Sequence, residues 1–382
     1  MTEESTNTAI KIVGVMDEDP FDYRTWSGSS KYFFGSLQES GVLAGAVSAE
    51  ASKFQRRISQ LRSFNPDLKK WKFKYHLDTK LFRHMSEVAK SKISALHTEF
   101  NVILQVGAWY DLTRNDCLNV SYHDGNLAAK LSSPFGHPKI AQRYINRALE
   151  YEKQLYKKLD LIFPMSSWLA DSFVNDFGAS RDKVFPVGAG INLPYIKESE
   201  GRNYDSKTLL MVGKDFERKG GKDLIDAFKI VRKAHPDARL KLIGPQLESL
   251  PDGVECLGFI AKNTDAGLSR LLDEYLNASI FVLPSLYEPF GISFIEAMAH
   301  RLPCIGTNIC AMPEILSNGE TGFLVPPESP KELASKIIEL LENPEQCAHF
   351  GNSGYQSYQL KFNWNAVTKH ITDIAADHMA RR

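Results

Sequence analysis

The stretch that decides the reading of this chain is Tyr287-Glu-Pro-Phe-Gly-Ile-Ser-Phe-Ile-Glu-Ala-Met-Ala299. Before it stands Ser279-Ile280-Phe281-Val282-Leu283-Pro284, a short apolar run of the kind that forms a parallel strand buried on both faces. After it, Ser293–His300 predicts the start of a helix. A strand, a tight turn at Gly291 and a helix N-terminus together offer free backbone N–H groups and a positive dipole end to an anion. Glu288 and Glu296 stand eight positions apart on either side of this turn, and carboxylates can hold neutral hydroxyls. An anion in the middle with hydroxyls at both ends describes a nucleotide sugar, a diphosphate between ribose and hexose. The competing reading is two solvated acids at a helix start, where acids are favoured anyway. The apolar residues around both acids and the costly Pro289-Phe290-Gly291 turn weigh against it.

Outward from this stretch, apolar β-type runs alternate with amphipathic ones, which predicts an α/β protein with parallel sheets built of βαβ units. In the first half the expected strands are Ala9–Val15, Val42–Val47, Asn101–Gly107, Val120–His123, Leu161–Pro164 and Val184–Val187. Helices are expected from about Ser30 to Glu39 and near Pro138–Leu159. The second half repeats the pattern with strands at Thr208–Gly213, Arg239–Gly244, Val254–Leu257, Ile280–Pro284, Pro303–Gly306 and Gly322–Val325, and helices including Gly221–Ala234 and Pro330–Glu342. The Gly-, Pro- and charge-rich segment 188–204 reads as a linker. The 382 residues are too many for one ordinary core, so the expected domains are 1–190 and 191–364, with a last helix, 365–382, crossing back to the first.

Lys+Arg and Asp+Glu both number 46, which gives no global argument for nucleic acid. The five cysteines are far apart and lack a CxxC pair, so they fit reduced thiols rather than a disulfide or zinc framework. No metal motif is evident. The acidic start MTEESTNTAIKIVGVM is not expected to be a signal peptide, and no run is long enough to span a bilayer. The expected location is cytoplasmic, with contact at the inner membrane face as an option. That option comes from Lys53–Lys92, which holds twelve Lys/Arg against three acids, with Trp71, Phe73 and Tyr75 interleaved among Lys70, Lys72 and Lys74. The segment reads either as a docking surface for anionic lipid or an anionic acceptor, or as a solvated face balanced by acids elsewhere.

Further candidates stand at strand ends, where α/β sheets bind ligands. Lys214 and Arg218-Lys219-Gly220-Gly221 follow Leu209–Gly213, so ammonium groups there can clamp a diphosphate and take charge from a leaving group. A solvated basic loop is the bland alternative. Neither a Walker A loop nor a GxGxxG fingerprint is present. Gly258 ends another strand; backbone groups around it can read a base edge while Phe259 or Ile260 packs on the base. Asp22–Ser30, containing Gly28, opens a helix and reads as a cap or a phosphate-facing loop. His123 and Asp124 lie just past a strand end, where Asp124 can orient a substrate hydroxyl or the imidazole.

Together these motifs resemble the retaining glycosyltransferases of family 4. The resemblance is strongest over Leu161–Trp364. It rests on the E-x7-E block with its EPFG turn and on Pro303–Thr307, Pro313-Glu314-Ile315 and Asn318–Val325, with Phe163–Ala170 like the family's segment before the hinge and Val187–Asn192 like the hinge entry. It implies the GT-B fold, two Rossmann-like domains with parallel sheets facing a central cleft, the first binding the acceptor and the second the donor. It further implies that Glu296 binds ribose, Glu288 the donor sugar, and the Phe290, Gly291 and Ile292 amides sugar and phosphate oxygens. Gly28 sits near the diphosphate, His123 faces the donor sugar, and Lys219 fits the family's KG lysine. Lys214 replaces the usual arginine and keeps the charge without the bidentate fork.

The expected activity is metal-independent transfer of a hexose from a UDP-, GDP- or ADP-sugar to an acceptor hydroxyl, with retention and no separate cofactor. A front-face route, in which the leaving phosphate oxygen takes the acceptor proton, is implied by the resemblance, as is closure about the linker. The alternatives are a GT-B sugar-nucleotide epimerase or hydrolase and a non-catalytic nucleotide-sugar-binding module. The base, sugar and acceptor are not legible.

Overall fold

Two separate all-parallel sheets organise the chain. The computed structural model describes residues 9–197 and 202–381. The N-terminal acidic stretch before residue 9 and part of the expected linker, 198–201, lie outside the described residues. The chain divides into one unit of Met1–Gly188 with Trp364–Arg382 and another of Ala189–Asn363.

The first unit contains strands β1 (Ile12–Met16), β2 (Leu43–Ser48), β3 (Val102–Val106), β4 (Leu118–His123) and β5 (Leu161–Pro164), in the order β2-β1-β3-β4-β5. Its helices are α1 (Ser29–Glu39), α2 (Lys53–Ser63), α3 (Leu68–Tyr75), α4 (Thr79–Ser94), α5 (Leu127–Leu131), α6 (Gln142–Lys158) and α7 (Ser167–Asn175). Every residue of β1, β3, β4 and β5 is buried, as parallel strands covered on both faces must be. The polar-basic region after β2, for which the sequence suggested no elements, forms α2, α3 and α4. Ser52, Asp67 and Asp78 start them by accepting backbone N–H bonds from Gln55, Lys69 and Lys80.

The second unit contains β6 (Thr208–Val212), β7 (Arg239–Ile243), β8 (Val254–Gly258), β9 (Ile280–Leu283), β10 (Cys304–Thr307) and β11 (Gly322–Val325), in the order β11-β10-β9-β6-β7-β8. Its helices are α8 (Gly221–Ala234), α9 (Asp265–Asn277), α10 (Ile292–Ala299), α11 (Met312–Ile315), α12 (Pro330–Leu341) and α13 (Pro344–Lys361). In α8, Leu224, Ala227, Phe228 and Val231 are buried at helical spacing, with Asp223 in the first turn and Arg232 and Lys233 in the last. The chain then enters α14 (Trp364–Ala380), which joins the first unit. There Ser36 Oγ of α1 lies 2.7 Å from Asn365 Oδ1 and 2.8 Å from Thr368 Oγ1, and Trp364 meets Phe33 at 5.6 Å.

One expected strand does not form. Val184–Val187 contributes only a bridge from Val184 to Ile162, continued by bonds from Phe185 N to Ile162 O and Val187 N to Pro164 O. Pro186 stands between these two donors, with its ring nitrogen turned away from β5, a position open to proline at a sheet edge.

The strand order in the second sheet reverses direction between β6 and β9. Loops leaving the C-terminal ends of strands on either side of such a reversal diverge and leave a crevice for ligands. Here the two loops carry Lys214–Gly220 and Ser285–Gly291.

Candidate functional site

At this reversal the β6 and β9 loops are locked together. Gly220 stands at φ +69°, and a Cβ there would lie 1.8 Å from the carbonyl oxygen of Pro284. Only glycine admits that approach without displacing backbone. Leu286 N donates to Arg218 O at 2.8 Å, and Arg218 Nη1 donates to Tyr287 O at 2.8 Å. The clasp brings Lys219 to Glu288: Nζ donates directly to Oε2, and both residues are buried. Ser285 Oγ donates to the same carboxylate oxygen at 3.1 Å, and Arg218 Nη1 lies 3.8 Å from it. Glu288 is thus a buried carboxylate oriented by one hydroxyl and two cations, not a solvated helix-start acid.

Gly291 follows at φ +81° and serves as the N-cap of α10 without a side-chain cap. A Cβ there would meet the flexible Met312 methyl at 2.7 Å, so it is the left-handed backbone, more than space, that favours glycine. The first N–H groups of α10 therefore point out of the turn without a capping side chain. Ser293 Oγ in the same turn is buried with no hydrogen-bond partner. Phe290 is buried and Ile292 half-buried.

Glu296 lies one helical stretch further on and is also buried. Tyr275 Oη donates to its Oε2 at 3.0 Å, and Lys262 Nζ lies 3.7 Å from Oε1. His300 stacks on Tyr275 with ring centroids 5.0 Å apart and rings 7° from parallel, while its Nδ1 is 2.7 Å from Glu296 O. Burial pushes the Tyr275 phenol well up and the His300 imidazole down to about 4, so Tyr275 remains a donor and His300 neutral at neutral pH.

Lys214 does not join the Lys219–Glu288 cluster. Its Nζ lies over the Phe259 ring, 4.2 Å from the centroid. Phe259 is 62% exposed and follows Gly258, whose carbonyl accepts from Gly244 N at 2.9 Å. Gly213, Gly244 and Gly258 thus follow or end adjacent strands β6, β7 and β8; a Cβ at Gly213 would lie 3.1 Å from the Lys219 stem, and one at Gly258 3.8 Å from Gln246 Nε2.

Two candidates belong to the first unit. Gly28, at φ +91°, caps α1 after a turn in which Trp26 and Ser27 also take positive φ values, 49° and 57°. Such conformations in non-glycine residues are held in place by their surroundings. Here Trp26 Nε1 donates to Asp124 Oδ2 at 2.6 Å, and the indole meets Tyr122 edge-on at 5.7 Å. Asp124 is therefore engaged with Trp26 and does not orient His123. His123 Nε2 lies 2.8 Å from Ser121 Oγ, with the ring between Phe173 at 4.9 Å and Tyr156 at 5.6 Å. It is only 2% exposed, and burial pushes its pKa down to about 3, so it is a neutral imidazole. The sequence placed His123 at the ligand edge; helices α6 and α7 cover its ring.

Sequence reasoning missed Ser285, Tyr275 and Lys262 and did not select Arg218. Arg218 lay within a quoted motif, and Ser285 stands between the two quoted stretches that flank the turn. Tyr275 and Lys262 carry no local signal, because only the packing of α9 and the loop before it against α10 brings them to Glu296.

Residues 194–357 match the family described as glycosyl transferases group 1. D-inositol 3-phosphate glycosyltransferase of Streptomyces avermitilis is 26% identical over 260 residues, covering 62% of this chain and 55% of that protein. MMP alpha-(1->4)-mannosyltransferase of Mycolicibacterium hassiacum is 26% identical over 243 residues, covering 61% and 58%. The chain thus spans little more than half the length of these relatives. Among solved structures, sucrose-phosphate synthase from Thermosynechococcus elongatus aligns with a TM-score of 0.71 at 18% identity, over 98% of this chain and 100% of that one. Anabaena Alr3699/HepE in complex with UDP and glucose aligns at 0.63 and 15% identity, over 96% and 99%. The match to group 1 glycosyl transferases thus falls within the second unit, and the two parallel α/β units share the GT-B fold of these solved structures.

Proposed function

We propose that this protein transfers a hexose from a nucleoside diphosphate sugar to an acceptor hydroxyl, with retention at the anomeric carbon and without a metal ion. The observation that carries the reading is the buried Lys219–Glu288 pair at the mouth of the uncapped α10 turn. A buried acid and base beside free helix N–H groups suit a ligand carrying both an anion and hydroxyls. Named relatives that act on inositol phosphate or transfer mannose, and the UDP and glucose bound to HepE, support the same class of substrate.

In this reading the diphosphate meets the N–H groups of Gly291 and Ile292 and the ammonium of Lys219. Glu288 accepts hydrogen bonds from the hexose hydroxyls, and Glu296, held by Tyr275, accepts from the ribose. The base lies along the Gly213–Gly244–Gly258 edge, with Phe259 and Lys214 closing over it. As the anomeric C–O bond breaks, the sugar gains oxocarbenium character and the departing diphosphate gains negative charge. Lys219, Arg218 and the α10 dipole oppose that charge where it develops, which lowers the barrier rather than merely tightening binding. The departing phosphate oxygen takes the proton of the attacking hydroxyl on the same face, so configuration is retained. The neutral His123, buried between Phe173 and Tyr156, is not suited to donate a proton. The first unit supplies the acceptor site.

The test is turnover of Glu288→Ala and Lys219→Ala in a preparation that transfers sugar from a UDP-, GDP- or ADP-sugar, with the product anomer read by NMR and EDTA added as a control. Loss of transfer in both variants, an α-glycoside from an α-linked donor and indifference to EDTA are expected. Unimpaired turnover in both variants removes this site from the mechanism.

A further inference from the structure

We propose that the outward face of α2, continued into α3, is a docking surface for an anionic lipid bilayer. Helix α2 is amphipathic in the opposite sense to a core-packed helix. Its fully buried residues are Ser59 and Ser63, whereas Phe54 is 68% and Leu61 76% exposed. These two stand seven positions, or two turns, apart and share one face. Phe64 at 60% and Leu68 at 56% extend the apolar strip from the end of α2 to the start of α3. Scattered exposed apolar residues need no explanation, but four large ones aligned along one segment mark an interaction surface.

The strip is fixed in place and framed by positive charge. From beneath, Asp78 Oδ2 accepts from Ser59 Oγ at 2.6 Å and from Arg62 Nη2 at 2.7 Å, while Trp71 Nε1 donates to Gln60 O at 2.9 Å. Arg56 pairs with Glu50 and Lys70 with Asp67. Among the described residues no carboxylate lies within ion-pair distance of Lys53, Arg57, Lys69 or Lys72, and all four are exposed. The chain as a whole is neutral, so this excess is a local polarity. A second copy of the same face would bring like charges together. An anionic bilayer satisfies both features: Phe54, Leu61, Phe64 and Leu68 enter the acyl boundary while the cations meet the headgroups. None of the described helices is long and apolar enough to cross a membrane, so this contact lies on the surface. It requires no assumption about the sugar-transfer site.

The experiment is flotation of the full chain with vesicles of phosphatidylcholine alone and of phosphatidylcholine with phosphatidylglycerol, without any sugar substrate. The wild type should float with the anionic vesicles, not with the neutral ones, and less at high salt. Lys53→Gln/Arg57→Gln should weaken binding about thirtyfold, and Phe54→Ser/Leu61→Ser should abolish it, both with wild-type melting temperatures. Sedimentation velocity without lipid accompanies this and should show no dimer dissolved by the Phe54/Leu61 variant. Failure of the wild type to float with anionic vesicles, equal binding by both variants, or a lipid-free dimer that Phe54→Ser/Leu61→Ser dissolves would overturn the proposal.

Discussion

The β6/β9 crevice of the second unit and the α2 face of the first are opposites in how they hold charge. In the crevice Lys219, Glu288 and Glu296 are all buried, and each carboxylate has a hydroxyl donor and a cation beside it. Across α2 and α3 four exposed cations, Lys53, Arg57, Lys69 and Lys72, lack a carboxylate at ion-pair distance among the described residues, and Phe54, Leu61 and Leu68 are exposed as well. Burial makes polar groups costly unless every partner is in place. A buried charged cluster is therefore specific to its ligand and sensitive to a single change. An exposed basic-apolar face is tolerant of substitution, and its energetics appear only when a partner covers it.

That contrast breaks most readily at the crevice. Lys219→Ala should lower kcat by about 10²–10³-fold, the range for removing one pre-organised donor from a developing anion. It should also lower stability by about 2–4 kcal/mol, because Glu288 keeps Ser285 and Arg218 but loses its nearest charge. Lys219→Met separates the two effects: packing and part of the melting temperature return, turnover does not.

A backbone effect of similar size on stability is expected at Gly220→Ala. The new Cβ would overlap the Pro284 carbonyl and force the β6 and β9 loops apart. Melting temperature and nucleotide binding should fall together. In Gly291→Ala, where the nearest atom is the flexible Met312 methyl, the cost reduces to about 1–3 kcal/mol for the left-handed backbone.

The units should also differ in their response to pH. Burial holds His300 of the second unit at about 4, below its ordinary 6.5. That histidine contributes full stability above pH 6.5 and loses it as pH falls toward 4. Glu152 of the first unit accepts from Leu127 N and Tyr156 Oη, and burial pushes it up from 4.5 to about 7. Its contribution is full below pH 4.5 and lost as pH rises through about 7. His123 of that unit, at about 3, has the same sign as His300. Glu152→Gln should therefore raise the melting temperature above pH 7 and leave it unchanged at acid pH. A stabilisation independent of pH would contradict this. The smallest effect belongs to the exposed face. Phe54→Ser/Leu61→Ser should shift stability by no more than about 0.5 kcal/mol and leave turnover on a soluble acceptor intact.

The same contrast governs what the sequence could disclose. Strands such as Ile280–Leu283 and helix Gly221–Ala234 were legible because burial on both faces, or on one helical stripe, leaves an uninterrupted apolar pattern. Glu288, Gly291 and Glu296 were legible because one turn carries them all. Val184–Val187 looked like a strand by composition, but it pairs with β5 only through one bridge and two backbone bonds at the sheet edge. Helices α2–α4 were hidden because their residues are mostly polar, and in α2 the apolar ones face outward. Tyr275 and Lys262 could not be found, since tertiary packing alone brings them to Glu296. Asp124 was read as able to orient a substrate hydroxyl or the neighbouring imidazole; it meets Trp26, while His123 meets Ser121.

The central claim is that the α10 turn and Lys219 grip the pyrophosphate of an activated sugar. A crystal structure of the chain with a bound nucleoside diphosphate sugar tests it most directly. The account predicts phosphate oxygens within hydrogen-bonding distance of the Gly291 or Ile292 N–H and of Lys219 Nζ, with hexose hydroxyls on Glu288 and ribose hydroxyls on Glu296. A well-ordered donor bound elsewhere, with Lys219 and Glu288 still paired only to each other, would contradict it.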